Sequence, residues 1–217
     1  MTDIFSPDYI VVEGPIGVGK TTLARRLAKS FQTDLMLEMA DENPFLPRFY
    51  SDPVNAALPT QLYFLFQRSK QLESLKQTDM FRPIQVSDFL MQKDRLFAEL
   101  TLSTQELELY DQVYEKLTLD IPQPDLVIYL QAPTDVLIQR IQERGIHHEL
   151  KISEEYLRKV SDAYIDFFYH YKDSPLLIVN TLDFDLSGDD GSFEELLSHI
   201  GGLGQGRHYF NPAAALA

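Results

Sequence analysis

Apolar positions along the chain fall into short unbroken runs that alternate with stretches of helical spacing. Tyr9 to Val12 is the first run, a buried strand that passes into Glu13 and Gly14. Leu23, Leu27 and Ala28 then recur at helical spacing with Arg25, Arg26 and Lys29 on other faces, which suits a helix packed on a sheet. Leu35 to Glu38 reads as a second strand, and Asp41 to Pro47 as a turn-rich connection broken by Pro44 and Pro47. From Pro59 to Leu75 there is no further Gly or Pro, so one helix is expected to start at Pro59.

Ile84 to Asp88 reads as a third strand, and Leu90 to Leu102 as a helix. Ser103 with Glu106 forms a capping-box pattern for another helix, ending near Leu117. Asp125 to Leu130 is the most strand-like run, suited to the centre of a parallel sheet. A helix from Pro133 and Thr134 ends near Gly145, and Ile146 to Lys151 forms a loop. Ser153 caps a helix reaching about Tyr171, in which Tyr164, Phe167, Phe168 and Tyr171 are core or subunit-contact residues. Leu176 to Val179 is a fifth strand, Thr181 to Gly191 a loop, and Ser192 to Glu195 caps a last short helix before a Gly-rich tail from Gly201. Strands alternating with helices give an α/β fold: a five-stranded parallel sheet flanked by helices in three layers, within a single domain of 217 residues.

The turn between the first strand and first helix carries chemistry. Gly14-Pro15-Ile16-Gly17-Val18-Gly19-Lys20-Thr21, continued by Thr22, satisfies G-x-x-x-x-G-K-[ST] between a strand and a helix. Glycines let backbone N–H groups close on phosphate, Lys20 counters its charge, the Thr21 hydroxyl suits magnesium, and the helix N-terminus adds its dipole. The formal net charge is −14, which opposes non-specific binding of nucleic acid or anionic membrane, so a phosphate has to be held by a few local cations. Without cysteine there is no disulfide or thiolate metal site. No apolar run approaches the roughly 18 residues that span a bilayer, and Met1 to Pro7 carries an acid, Asp3, and no basic residue, so a soluble cytoplasmic protein is expected.

Further candidates stand at strand ends and on helix faces. Glu38 and Asp88 each end a strand, the place where ligands sit in open α/β sheets, and an acid there opposite a phosphate loop suits magnesium. Gln61 and Arg68 share a helix face with Leu65 and Leu72, which fits a binding face or a solvated polar edge. Arg140 and Arg144 share a face just before the Gly145 exit, either as a lid over a polyphosphate or as a solvated face bridged to Glu143.

With Gly14 to Thr21, Glu38, Tyr50, Gln61, Arg68, Asp88 and the Arg140 to Glu149 segment in order, the chain resembles the deoxynucleoside kinases, in particular their bacterial deoxyadenosine and deoxyguanosine branch. The match runs from about Tyr9 to Asn180, and LEMADENPFLPRFY, QLYFLFQR and IQVSD are its most specific stretches. The resemblance implies transfer of the ATP γ-phosphoryl group to the 5′-hydroxyl of a deoxyribonucleoside, with Mg2+, in a homodimer with a short lid over about 140–152. It assigns Glu38 to the 5′-hydroxyl, Tyr50 and Glu149 to the 3′-hydroxyl, Gln61 to the base edge and Phe97 to base stacking. Arg68 with Asp94 is the deeper base-reading pair, Lys20, Thr21 and Asp88 arrange Mg-ATP, and Arg140 and Arg144 are lid cations.

Three departures stand out. Phe89 follows Asp88 where an Arg is expected, Ile146 stands where a third lid Arg is expected, and the segment between Asp88 and Phe97 is one residue shorter than in animal relatives, which leaves Lys93 and Asp94 interchangeable in assignment. Lys93 is a candidate for the missing charge, and the sequence leaves the proton acceptor open between Glu38 and Asp88. A thymidylate-type monophosphate kinase shares the loop, strand-end acid and lid, but its acceptor phosphate calls for an extra Arg near Glu38 or after Asp88. A nucleotide-responsive regulatory protein is the alternative from another class; an N-K-x-D guanine-reading motif is missing, and the acceptor-site side chains would be idle in it.

Overall fold

The computed structural model describes residues 7–76 and 85–212, so Met1 to Ser6, Ile84 and the end of the tail lie outside the described residues. The chain order is β1 (Tyr9–Glu13), α1 (Lys20–Phe31), β2 (Asp34–Met36), α2 (Leu46–Phe49), α3 (Pro53–Lys76), β3 (Gln85–Ser87), α4 (Lys93–Thr101) and α5 (Thr104–Thr118). It continues through β4 (Leu126–Gln131), α6 (Thr134–Arg144), α7 (Glu154–His170), β5 (Leu176–Asn180), α8 (Asp190–Gly201) and β6 (Arg207–Phe210). All ladders are parallel, in the order β2-β3-β1-β4-β5-β6.

Strand alternation builds the two core layers. Ile10 and Val12 of β1, with Leu126, Ile128 and Leu130 of β4, pack against α1, α6 and α8. Tyr9 and Val11, with Val127 and Tyr129, face the aromatic layer of α3, α4, α5 and α7. Both faces being covered accounts for the near-continuous apolar reading of β1 and β4. A satellite cluster of Leu46, Phe49, Ala56, Ala57 and Phe64 joins α2 to the start of α3.

The sheet has six strands rather than the expected five. The extra strand, β6, lies in the Gly-rich tail and pairs Leu176 with Arg207 through Val179 with Phe210. Four residues with one buried side chain at the sheet edge give too short a pattern to stand out from a tail. Helix α3 begins at Pro53, which takes the first-turn position foreseen for Pro59; Pro59 sits inside the helix. Buried Ala56 and Ala57 hold the added turn against α2, and the Thr60 hydroxyl bonds the Ala56 carbonyl at 2.7 Å.

Helix α4 starts at Lys93 and not Leu90, because Phe89, Leu90 and Met91 are drawn into the core and the chain enters the helix through a turn at Met91 and Gln92. Helix α8 is capped by Asp189, whose carboxylate accepts the Ser192 N–H at 2.9 Å, so it begins earlier than the Ser192 pattern suggests. The Ser103 capping box and the Ser153 cap form as expected.

The sixth strand is a structural element in its own right. Phe210→Ala should destabilise the protein by about 3 kcal/mol in chemical denaturation, as for a buried Phe at a core margin. A loss below about 0.5 kcal/mol, the range of ordinary surface changes, would show that β6 contributes nothing to the core.

Candidate active site

Chain order reverses between β1 and β3, and the strand carboxyl ends there open the crevice in which ligands of such sheets sit. The loop after β1 carries Gly14 to Gly19, with Lys20 as the first residue of α1. Gly19 has φ 103°, and a Cβ there would meet the Leu186 side chain; a Cβ at Gly14, φ 151°, would meet the Leu130 carbonyl at 2.6 Å. Lys20 Nζ donates to the carbonyls of Gly14 and Pro15 at 2.8 and 3.2 Å. The ammonium is thereby folded back across the mouth of its own loop.

The strand-end acids meet. Asp88 Oδ1 accepts the Glu38 N–H at 2.6 Å, and Oδ2 accepts the Thr21 hydroxyl. Burial raises the Asp88 pKa against the opposing pull of Thr21 and of Lys93 and Lys20. Glu38 stands two residues beyond β2 and is paired twice, with Arg68 and with Lys93 Nζ at 3.2 Å. Arg68 also pairs with Asp94, which is fully buried behind it.

Two clefts share these residues. One is lined by Glu38, Tyr50, Gln61, Arg68, Lys93, Phe97 and Glu149, and also by Phe49, Phe64, Tyr156 and Tyr164. The other lies across the phosphate loop and is lined by Gly17 to Thr22, Arg140, Arg144 and Phe184 to Ser187. Gly17, Lys20, Thr21 and Arg144 border both. A phosphate on the loop would therefore stand between a cleft with two arginines and a cavity of aromatic rings and hydrogen-bonding groups.

Most of the residues singled out in the sequence come together here, with distinct placements. Gln61 and Arg68 are each 3% exposed, so the solvated-edge option for that helix face does not hold. Lys93 lines the cavity and Asp94 does not, a distinction the sequence left open. Phe89 is buried in the core, so the position after Asp88 presents no side chain to the site. Arg140 is fixed on Thr181, donating to its hydroxyl at 3.0 Å and its carbonyl at 2.6 Å. Arg144 pairs with Glu149, while His148 stacks on Tyr50 with ring centroids 6.1 Å apart.

Residues 10–203 match the family model described as deoxynucleoside kinase. The chain belongs to that family. It is 36% identical over 200 residues to deoxyguanosine kinase of Bacillus subtilis, covering 88% of this chain and 95% of that one. To deoxyadenosine/deoxycytidine kinase of the same organism it is 30% identical, over 88% of this chain and 90% of the other. The solved deoxyadenosine kinase from M. mycoides with bound dATP aligns with TM-score 0.74 at 27% identity, covering 88% and 97% of the two chains. This deoxynucleoside kinase is thus an ATP-dependent phosphotransferase on the P-loop kinase fold, and none of the described helices is long and apolar enough to cross a membrane.

Sequence reasoning passed over several site residues of this kinase. Tyr164, expected in the core or at a subunit contact, is buried in the core and stacks on Tyr129, and it also lines the cavity. Tyr156 and the segment Phe184 to Ser187 carried no distinguishing local pattern. Glu13, buried at the end of β1, sits among apolar residues, but its strand-end position is the same signal that singled out Glu38 and Asp88.

Burial pushes the Lys20 ammonium down to about 8, aided by the like charge of Lys93, and brings Lys93 itself down to about 8. Deprotonation would remove the positive charge at the mouth of the glycine-rich loop and the one paired with Glu38, so kcat/KM for ATP should fall as pH rises through about 8. A bound polyphosphate stabilises the charged lysines, and kcat should hold to higher pH than kcat/KM. Steady-state profiles check this; a kcat/KM that stays level into the ordinary lysine range would contradict it.

Proposed function

We propose that this kinase transfers the γ-phosphoryl group of Mg-ATP to the 5′-hydroxyl of a deoxyribonucleoside, with deoxyguanosine its preferred acceptor. The observation that carries the reading is the pair of clefts meeting at Lys20, Thr21 and Arg144, one with the phosphate loop and the other with Glu38 on its wall. In this reading the loop N–H groups, the α1 N-terminus and Lys20 hold the phosphates. Glu38 orients the sugar hydroxyl and takes its proton as the oxygen bonds to the γ-phosphorus and ADP departs. Asp88, beside the Thr21 hydroxyl, is given to Mg2+ in this reading, which leaves Glu38 as the acceptor of the proton.

Thr21 and Asp88 fit Mg2+, because hard oxygen donors from one or two side chains are the protein share that this ion takes beside substrate phosphates. When bound, the ion would neutralise phosphate charge. Tyr50 and Glu149 are assigned to the 3′-hydroxyl, Phe97 to stacking on the base, and Arg140 and Arg144 to phosphate charge. A homodimer belongs to the same reading, supported by exposed Phe66 of α3 and Leu109 of α5.

For the base, Arg68 offers only donors, oriented by Asp94 behind it, and guanine alone presents two adjacent acceptors, O6 and N7, on one edge. The relative named deoxyguanosine kinase supports the same assignment. Gln61 supplies both a donor and an acceptor beside it.

Turnover with each of the four deoxynucleosides tests this reading in wild type and Glu38→Gln. Wild type should show its highest kcat/KM with deoxyguanosine, exceeding thymidine by ~10-fold or more, as one bidentate pair contributes about 1–3 kcal/mol. Glu38→Gln should lower kcat by ~10²–10⁴ with ATP affinity nearly intact. A pyrimidine as best acceptor would overturn the base assignment, and near-normal turnover in Glu38→Gln would remove it from the chemistry.

A further inference from the structure

Glu13 has no part in the steps above, is 0% exposed and does not line the acceptor cavity, yet its carboxylate is fully engaged. Oε1 accepts the Gly14 N–H at 2.9 Å and the Tyr164 hydroxyl at 2.9 Å. Oε2 accepts the Leu90 N–H at 2.8 Å and stands 3.4 Å from Lys93 Nζ. Four donors fill the roughly four lone-pair positions of a carboxylate. They belong to four segments: the first residue of the phosphate loop, helix α7, the stretch after β3, and the first turn of α4.

Lys93 extends this anchorage into the site. Its side chain is 3% exposed and its ammonium lies between Glu13 and Glu38, 3.4 Å from one and 3.2 Å from the other. The Lys93 charge would be costly to bury without a counter-ion, so Glu13 decides where that cation rests. Lys93 in turn fixes the second oxygen of Glu38, whose first is held by Arg68.

We propose that Glu13 is a positioning residue for phosphoryl transfer: by anchoring both the first amide of the phosphate loop and Lys93, it sets where Glu38 stands relative to the transferring phosphoryl group. The proposal rests on the reading of Glu38 as the group that faces the 5′-hydroxyl. A purely architectural Glu13 would lower stability without a specific link to Lys93, whereas a positioning Glu13 acts on rate through that lysine. In Glu13→Gln the amide keeps the volume but turns a donor toward donors and leaves Lys93 without its buried counter-charge.

A double-mutant cycle in the full-length kinase separates the two. Steady-state kcat and nucleoside KM are measured for wild type, Glu13→Gln, Lys93→Met and the double variant, with thermal melting and ATP binding on each. Expected is a kcat loss of ~10²-fold in Glu13→Gln, the scale of an ångström-level misplacement, with KM changed far less. The double variant should be no slower than Lys93→Met alone, because both changes sever one pathway. Effects on kcat that multiply, or a Glu13→Gln kcat within about twofold of wild type, would overturn the proposal. If Glu13→Gln does not fold, Glu13→Asp, which keeps the charge and withdraws the oxygens by one carbon, enters the same cycle with the same outcomes. Glu38→Gln run in parallel keeps the questions apart: normal kcat there sinks the underlying reading, while its collapse beside a multiplicative cycle sinks only the role of Glu13.

Discussion

An alternating row of charges, Asp94, Arg68, Glu38, Lys93 and Glu13, all buried except the partly exposed Glu38, runs across the site, and the placement of the other side chains follows from it. Each ion costs several kcal/mol to desolvate and is tolerable only where its neighbours neutralise it and its remaining lone pairs or protons are used. Removing any member strands the next one, so the row behaves as a unit and holds Glu38 between two cations. It also joins the cavity wall at Glu38 and Lys93 to the first amide of the glycine-rich loop, because Glu13 ends the row and accepts the Gly14 N–H.

The parallel sheet makes the row possible. β2, β3 and β1 are adjacent and run the same way, so Glu38, Asp88 and Glu13 emerge at one edge although they are separated by as many as 75 positions in the chain. The helix dipole of α1 and the glycine backbone concentrate anion-binding capacity at the same edge. The overall charge of −14 sharpens this division, since the few inward cations are committed to places and the surface discourages other polyanions. Phe89, the residue after Asp88, enters the core, and Lys93 reaches Glu38 from the first turn of α4.

What the sequence made legible was local. The phosphate loop, the Ser103 and Ser153 caps, the αL exit at Gly145 and the acids after β2 and β3 depend on a few neighbouring residues, and each is found where the pattern indicates. What it hid was decided by tertiary contacts. The start of α4 shifts by three residues because Leu90 is claimed by the core and by Glu13, and that shift is what turns Lys93 toward the cavity and Asp94 away from it. β6 has too few buried positions to register as a strand until β5 is beside it. Pro53 and Pro59 are both acceptable first-turn residues, and the packing of Ala56 and Ala57 on α2 chooses the earlier one. Glu13 escaped notice because a carboxylate directly before the loop glycine reads as part of the turn rather than as the hub of a charge row.

The central claim is that Glu38 presents a sugar 5′-hydroxyl to the phosphate held on the loop. It is tested most directly by phosphorus NMR of the reaction with Mg-ATP and an equimolar mixture of deoxyguanosine and its 5′-monophosphate. The account predicts one growing monoester resonance, coupled to the 5′-methylene protons, rising with ADP. A diphosphate formed from the added monophosphate, or a monoester coupled to the 3′-proton, would contradict it.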